Sequence, residues 1–377
     1  MEQARKPRAF FLFREAPLRR RALSLPPGAA ERYALYGLDQ VAAGGFAVGH
    51  SLEPEVRPGR VERSVGAILD RAVRAVGGYS GDFAGILASR RRIGDADVVF
   101  STVDTVGIPL ALLAGAGVVR TPIVYASIGL PERLEQLRTA AARRLFARSY
   151  RKLHTIVAYG HGEVEALRSW LGDGGPDVVF VPFGVDTDVF RPAAEVRIDT
   201  DVVSIGADQR RDFELLVRLA RRLPDRTFRI VASADHQSSL AEAPANVSVE
   251  TDVPFARIPE ELHRARLVVL PVRDNSYSGA TTTLLQAMAT AKPVVVTRTA
   301  AIAEGYYLED GINCTLVPPA DLEALERAVL AHLADPAWSE AIGARARETV
   351  VQHLGWARYA GAIRDLLAAA SRAPHPR

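Results

Sequence analysis

A single cysteine, Cys314, stands in 377 residues. One thiol cannot close an intramolecular disulfide, so a disulfide-stapled fold is excluded and a reducing compartment fits. Cys314 lies in the run Ile312-Asn313-Cys314-Thr315-Leu316-Val317, which reads as a strand, and burial is the ordinary setting of an unpaired cysteine. No Cys/His cluster has zinc-ligand spacing. Walker loops, serine-hydrolase elbows and glycine-rich dinucleotide fingerprints in a strand–turn–helix context are also missing. Charge of one sign is scarce: 47 basic against 44 acidic side chains leave +3, too little for a general nucleic-acid role. Long apolar runs are lacking as well. The most apolar stretch, Val98 to Val119, contains Asp104 and Pro109 and reads as strand, loop and buried helix rather than a membrane span. At the start, Met1-Glu2-Gln3-Ala4-Arg5 leads directly into strand-like Ala9–Phe13, which reads as no secretory signal. The expectation is a cytoplasmic protein.

What is present is a long alternation of short apolar runs with helical patterns. Strands are expected at Ala9–Phe13, Phe46–Val48, Val98–Ser101, Pro122–Ala126, Thr155–Ala158 and Val178–Val181. A second set falls at Val202–Ile205, Phe228–Ala232, Val247–Val249, Leu267–Leu270, Pro293–Thr297 and Cys314–Val317. Several are continuous β-branched runs, as in strands buried on both faces of a parallel sheet. Helical patterns between them include Ala29–Ala43, Glu132–Lys152, Gly162–Leu171, Arg211–Leu223 and Leu322–Leu333. The alternation predicts an α/β protein of two doubly wound parallel-sheet domains, which a chain of this length can fill. We place the boundary in Arg191-Pro192-Ala193-Ala194-Glu195, giving domains 1–192 and 193–355. The amphipathic helix from Trp356 and the tail, 356–377, are expected to pack back on the first domain. Ligands of such folds bind at the carboxyl ends of the strands, so two facing domains would make a cleft.

Two segments carry chemistry. In Ser276-Tyr277-Ser278-Gly279-Ala280-Thr281-Thr282-Thr283-Leu284 a small polar loop opens a helix. Ser278 or Thr281 can cap it, and its free N–H groups and partial positive charge suit an anion. Gly279 and Ala280 leave room for a phosphate. A plain cap before a packing helix has the same pattern. Gly206-Ala207-Asp208-Gln209-Arg210-Arg211-Asp212-Phe213 reads as a strand end and a short loop, with paired arginines opening a helix against its dipole. They suit a diphosphate, since guanidinium pairs well with phosphate oxygens. Surface arginines paired with Asp208 and Asp212 are the alternative.

The ordered series of landmarks resembles the family 4 glycosyltransferases of GT-B fold, which have two Rossmann-like domains. The landmarks are Val181-Pro182-Phe183-Gly184-Val185-Asp186, the segment from Ser278 to Val296, and Asp310-Gly311-Ile312-Asn313-Cys314 with Asp321-Leu322-Glu323 after it. Pro26-Pro27-Gly28-Ala29 and Val157-Ala158-Tyr159-Gly160-His161-Gly162-Glu163 match more weakly. The resemblance implies a hexosyltransferase that takes a sugar from a UDP- or GDP-sugar, retains anomeric configuration, and needs no cofactor or metal. It assigns Arg210 and Arg211 to the leaving phosphate. It assigns Gly206, Ser278, Gly279, Ala280, Thr281, Thr282 and Gln286 to the donor, and Gly28, Ala29 and His161 to the acceptor side in the first domain. The family's usual Glu-x7-Glu is Ser278 and Gln286 here. That departure keeps a second reading open, a catalytically silent homologue that partners or regulates another enzyme.

Asp95-x-Asp97 and Asp186-x-Asp188 are short of a metal site by position, one before a strand and one in a turn. His236, like His161, sits near a strand end. Leu134, Leu137, Ala141 and Leu145 form an apolar row in the expected helix 131–152, whose other positions hold seven basic side chains, Arg133 and Lys152 among them. That helix is either a core helix with a basic outer face or a peripheral membrane contact at the inner face of the membrane, one suited to a lipid-linked acceptor. The acceptor itself, whether glycan, lipid carrier or small metabolite, has no signature in the sequence.

Overall fold

Runs such as Val98-Val99-Phe100-Ser101 and Val294-Val295-Val296-Thr297 have no polar face, so they are stable only when covered on both sides. The structure, a computed structural model, describes residues 5–193, 196–275, 277 and 279–373. It contains twelve strands in two six-stranded sheets, every pairing parallel. The first sheet holds β1 (Arg8–Leu12), β2 (Ala47–His50), β3 (Val98–Ser101), β4 (Ile123–Ala126), β5 (Thr155–Ala158) and β6 (Asp177–Phe180), in the order β2-β1-β3-β4-β5-β6. The second holds β7 (Thr200–Gly206), β8 (Phe228–Ala232), β9 (Val247–Thr251), β10 (Ala265–Leu270), β11 (Val294–Thr297) and β12 (Thr315–Val317), ordered β12-β11-β10-β7-β8-β9. All twelve sequence-expected strands are present, within a few residues. Central strands β3, β4, β5 and β11 are wholly buried, whereas edge strands β2 and β9 are partly exposed.

The chain packs as two units. One holds the chain up to Val181 and again from Tyr359; the other is Pro182–Arg358. The first unit's core joins Phe10, Val99, Tyr125 and Ile156 of the sheet to Ile86, Ile108, Phe146 and Leu167 of helices. The second joins Val202, Ile230, Val269 and Val295 to Phe213, Leu216, Leu219 and Val329. In the first unit, helix Trp356–Ser371 brings Tyr359 Oη to 3.0 Å from Tyr159 Oη.

Two expected helices are broken. The pattern Ala29–Ala43 is a 3₁₀ segment, Ala30–Leu35, then a helix Leu38–Ala43. Between them Gly37 takes φ +85°, where a Cβ would also fall 3.2 Å from Ala360. The pattern 131–152 is likewise two helices, Leu130–Glu135 and Ala140–Tyr150. Arg138 N donates to Val76 O at the break, and Thr139 Oγ1 starts the second helix by accepting from Ala142 N. Restarting the helix shifts its phase. Leu134 and Leu137 are buried as expected, but Ala142, Phe146 and Tyr150 replace Ala141 and Leu145 as the inward row.

Helix Asp104–Gly115 lies so close to the sheet that a Cβ on Gly107 would fall 2.1 Å from the Tyr125 ring. That ring cannot retreat, since it is fully buried and its hydroxyl donates to Asp104. Gly107→Ala is therefore expected to destabilise the protein by about 1–3 kcal/mol in denaturant titration. Gly361→Ala, in helix Trp356–Ser371 with nothing within 4 Å of the new Cβ, is expected to stabilise by roughly 0.5–1 kcal/mol. Equal effects at the two positions contradict this packing.

Candidate functional site

In a doubly wound sheet the loops after neighbouring strands separate where the winding reverses, and the crevice there is the ordinary ligand site. The reversal lies between β1 and β3 in the first sheet and between β7 and β10 in the second.

In the second unit, the loops after β7 and β10 are stitched together at that point. Asp212 N donates to Pro271 O at 2.9 Å, and Arg273 N to Arg210 O at 2.8 Å. The Asp208 carboxylate accepts from Arg210 N at 2.8 Å and from Tyr277 Oη at 3.0 Å. His236, buried against the Phe213 ring, places Nε2 3.0 Å from Asp208 O; it is a loop support.

Arg211 is drawn inward by this arrangement and is only 2% exposed. Its side chain folds back beneath the end of β7, where a Cβ on Gly206 would meet Nε at 2.6 Å. One Nη donates to Ser204 Oγ at 2.9 Å, and the Phe213 ring centre is 5.5 Å from Cζ. No described protein group accepts from Nε or from the other Nη. Burial lowers its pKa to about 10, against the opposing pull of the Asp208 charge. An uncompensated buried cation costs on the order of several kcal/mol. The alternative of a surface arginine paired with Asp208 or Asp212 does not hold for Arg211: Asp212 instead caps helix Phe213–Arg222 by accepting from Leu215 N. The arginines also do not open that helix; both precede its cap. Arg210 is half-buried.

Unsatisfied polar atoms gather along the same edge. Besides Arg211, the buried side-chain atoms of the second unit without a described partner are Ser233 Oγ, Asn275 Oδ1, Thr281 Oγ1 and Thr299 Oγ1. They follow β8, β10, β10 and β11 respectively, all past carboxyl ends. Ser233, Asn275 and Thr299 had no motif to mark them; only their place after strand ends does so. Helix Thr281–Ala289 starts there and has Ala280 at its cap, with no side-chain cap, which corrects the expectation of Thr281. Its first turn directs free N–H groups to this edge. Ser278 lies outside the described residues. Gly279 approaches Asp208, since an added Cβ would sit 2.9 Å from its Oδ1. Thr282 is half-buried, and Gln286 is buried one turn further along. Among the described residues no three His, Cys, Asp or Glu side chains converge as a metal site would require.

In the first unit the three expected residues lie on two different connections. Gly28 and Ala29 follow β1, while His161 begins helix His161–Leu171 after β5, with its ring 4.2 Å from that of Phe180. Strands β3 and β4 intervene, so the two strand ends are about 14 Å apart. The charged groups at this crest are Asp104 and Glu163. Asp104 binds Arg133 at 2.7 Å, Tyr125 Oη at 2.6 Å and Ile128 N at 3.0 Å; burial nevertheless raises its pKa. Glu163 ties the loops after β4 and β5 together, accepting from Ser127 Oγ at 2.5 Å and from Gly129 N at 3.0 Å. Burial pushes its pKa up to about 7, against the pull of the Ser127 hydrogen bond.

A carboxyl that is more basic when folded binds its proton more tightly in the native state, so its contribution is full below the ordinary value of 4.5 and is lost as pH rises towards 7. Stability is expected to fall by roughly 3 kcal/mol across that window on this account. Glu163→Gln is expected to flatten the fall in a pH series of urea titrations. An unchanged slope assigns it to other groups.

Residues 200–335 match the family model described as Glycosyl transferases group 1. The GDP-mannose-dependent alpha-(1-6)-phosphatidylinositol monomannoside mannosyltransferase of Mycolicibacterium smegmatis is 27% identical over 212 residues, which are 50% of this chain and 55% of that protein. The chain thus spans about half the length of the curated relative it matches. Among solved structures, sucrose-phosphate synthase from Thermosynechococcus elongatus superposes with TM-score 0.72 at 17% identity, over 97% of this chain and all of that one (100%). Anabaena HepE in complex with UDP-glucose gives 0.70 at 14% identity, over 96% and 99%. At these identities the likeness is one of fold, and it extends along the whole chain. Residues 200–335 thus match the glycosyl transferases group 1 model, and the chain that carries them has the two-domain α/β GT-B fold of these solved structures.

Proposed function

We propose that this chain is a glycosyltransferase that moves a hexose-type sugar from a nucleotide-diphosphate sugar to an acceptor with retention of configuration. The observation that carries the proposal is the guanidinium of Arg211, with Nε and one Nη lacking a described hydrogen-bond partner, buried at the switch point of the sheet whose residues match the family model. An anion there would accept from Nε and Nη and gain the N–H groups opening helix Thr281–Ala289. A diphosphate has that charge, and in a low-dielectric setting such preorganised donors stabilise the charge that grows on a leaving group. Arg210 would contribute from the same loop, Gln286 would hold the ribose, and Gly279 and Ala280 would let the phosphates approach.

In the reaction, the bond between the sugar's anomeric carbon and the phosphate oxygen breaks, and the acceptor oxygen bonds to that carbon on the same face. The departing phosphate takes the acceptor's proton, so no protein base is required. Arg210, Arg211 and the N–H groups opening helix Thr281–Ala289 would offset the phosphate charge in place of a metal ion. The first unit, through Gly28, Ala29 and His161, would serve the acceptor. Donor chemistry in the relatives supports this reading: one depends on GDP-mannose, and another is solved with UDP-glucose.

A thermal-shift panel of nucleoside diphosphates tests it. A fitting nucleotide at ~100 times its Kd adds roughly 2.7 kcal/mol of stability. Arg211→Met is expected to melt at or above the wild-type temperature without ligand, since replacing an uncompensated buried ion by an apolar side chain is neutral or favourable. It is also expected to lose the nucleotide-induced rise. A rise that persists in Arg211→Met refutes the phosphate assignment. Nucleotide binding without turnover of any sugar donor on any acceptor identifies the silent homologue instead.

A further inference from the structure

Sugar transfer leaves one surface of the first unit unexplained. Helix Arg60–Ala75 is held by few residues; Gly66 and Val73 are its buried positions. Gly66 packs on Ala84, where a Cβ would fall 2.9 Å from the backbone nitrogen. A helix facing only water carries polar residues on its outer face. Here Val61, Val65 and Ile68, spaced i, i+4 and i+7, stand outward, with Val61 71% and Ile68 68% exposed. Ala72 continues the row into a groove of about 540 Å³ between this helix and Ala140–Tyr150. Leu69, Val76, Leu112 of helix Asp104–Gly115 and Leu145, 58% exposed, line the groove. The phase shift of helix Ala140–Tyr150 is what turns Leu145 outward.

The charge carried by these two helices is mostly of one sign. The two helices carry seven arginines, at 60, 63, 71, 74, 143, 144 and 148, against two carboxylates. Both carboxylates are engaged: Glu62 accepts from Gly59 N at 3.0 Å, and Asp70 from Arg74 Nε at 2.9 Å. The excess of five positive charges exceeds the net charge of the whole chain, +3. Two copies of such a face would repel each other. An anionic lipid surface complements it, because apolar side chains enter the headgroup boundary while arginines reach out to the phosphates.

We infer that the face formed by helices Arg60–Ala75 and Ala140–Tyr150 docks on an anionic bilayer. The contact is peripheral; among the described residues no helix is long and apolar enough to cross a membrane. The inference stands independently of the transfer reaction.

Flotation of the full chain with vesicles tests it, using phosphatidylcholine alone and an equimolar mixture of phosphatidylcholine and phosphatidylglycerol. The chain is expected to float with the mixture, to stay behind with phosphatidylcholine, and to be released by high salt. Ile68→Asp and Leu145→Asp should each weaken partitioning roughly tenfold or more. Val61→Ser, a milder change, should weaken it several-fold. All three should keep the wild-type melting temperature and nucleotide response, which separates this inference from the donor-site proposal. Wild-type protein that binds neither vesicle, or equal binding by Ile68→Asp, overturns the inference. So does a concentration-dependent dimer that Ile68→Asp abolishes in the absence of vesicle binding, since a second copy would then be the occupant.

Discussion

Parallel strands cannot be joined by tight turns, so every strand but the last of each sheet is followed by a crossover that returns over the face of that sheet. Every loop that leaves a carboxyl end therefore gathers along one edge. Where the winding reverses, two of those loops have no crossover between them. In the second unit that place lies between β7 and β10. The short loop after β7 cannot run outward there; it is bonded to the loop after β10, and this turns Arg211 under the end of the sheet. The helix Thr281–Ala289 begins beside the same loops because it is the crossover leaving β10. Backbone geometry thus creates the positive locus, and the side chains tune it.

The treatment of other buried charges shows how unusual that locus is. Arg229 of β8 is partly buried, and it binds both Glu261 and Glu250, with Arg257 closing the network. In the first unit Asp104 has Arg133 and the Tyr125 hydroxyl, and Arg133 also lies over the Tyr79 ring, 3.7 Å from its centre. Glu163 meets its burial cost with a raised pKa and hydrogen bonds. Arg211 has a serine hydroxyl and an aromatic ring, and no carboxylate bonded to it. Strain of this kind persists where a ligand relieves it, and the buried polar atoms of Ser233, Asn275, Thr281 and Thr299 lie along the same edge.

Much of the fold was legible in the sequence because a strand buried on both faces leaves an unmistakable apolar run. β3, β5, β10 and β11 are such runs, and even edge strands β9 and β12 kept enough of the pattern. Helix interruptions were not legible, because their causes are distant. Gly37 breaks its helix where Ala360 approaches, and Thr139 restarts one beside Val76. A one-residue change of phase then moved Leu145 from the expected core to the surface. At the proposed donor site the residue types were readable but their directions were not. Two adjacent arginines look alike in sequence; only the bonds from Arg211 N to Asp208 O and from Arg273 N to Arg210 O decide which one is buried. The three residues expected on the acceptor side follow different strands, Gly28 and Ala29 after β1 and His161 after β5.

The central claim is that the buried guanidinium of Arg211 is where a donor's phosphates bind. The most direct measurement is a ¹⁵N NMR titration of the arginine Nε–H signals with a nucleoside diphosphate, the Arg211 signal being assigned through Arg211→Lys. The account predicts that this one protected Nε–H moves to the shift of a phosphate-bonded arginine, in step with saturation. A nucleotide that binds while the Arg211 signal stays in place would contradict it.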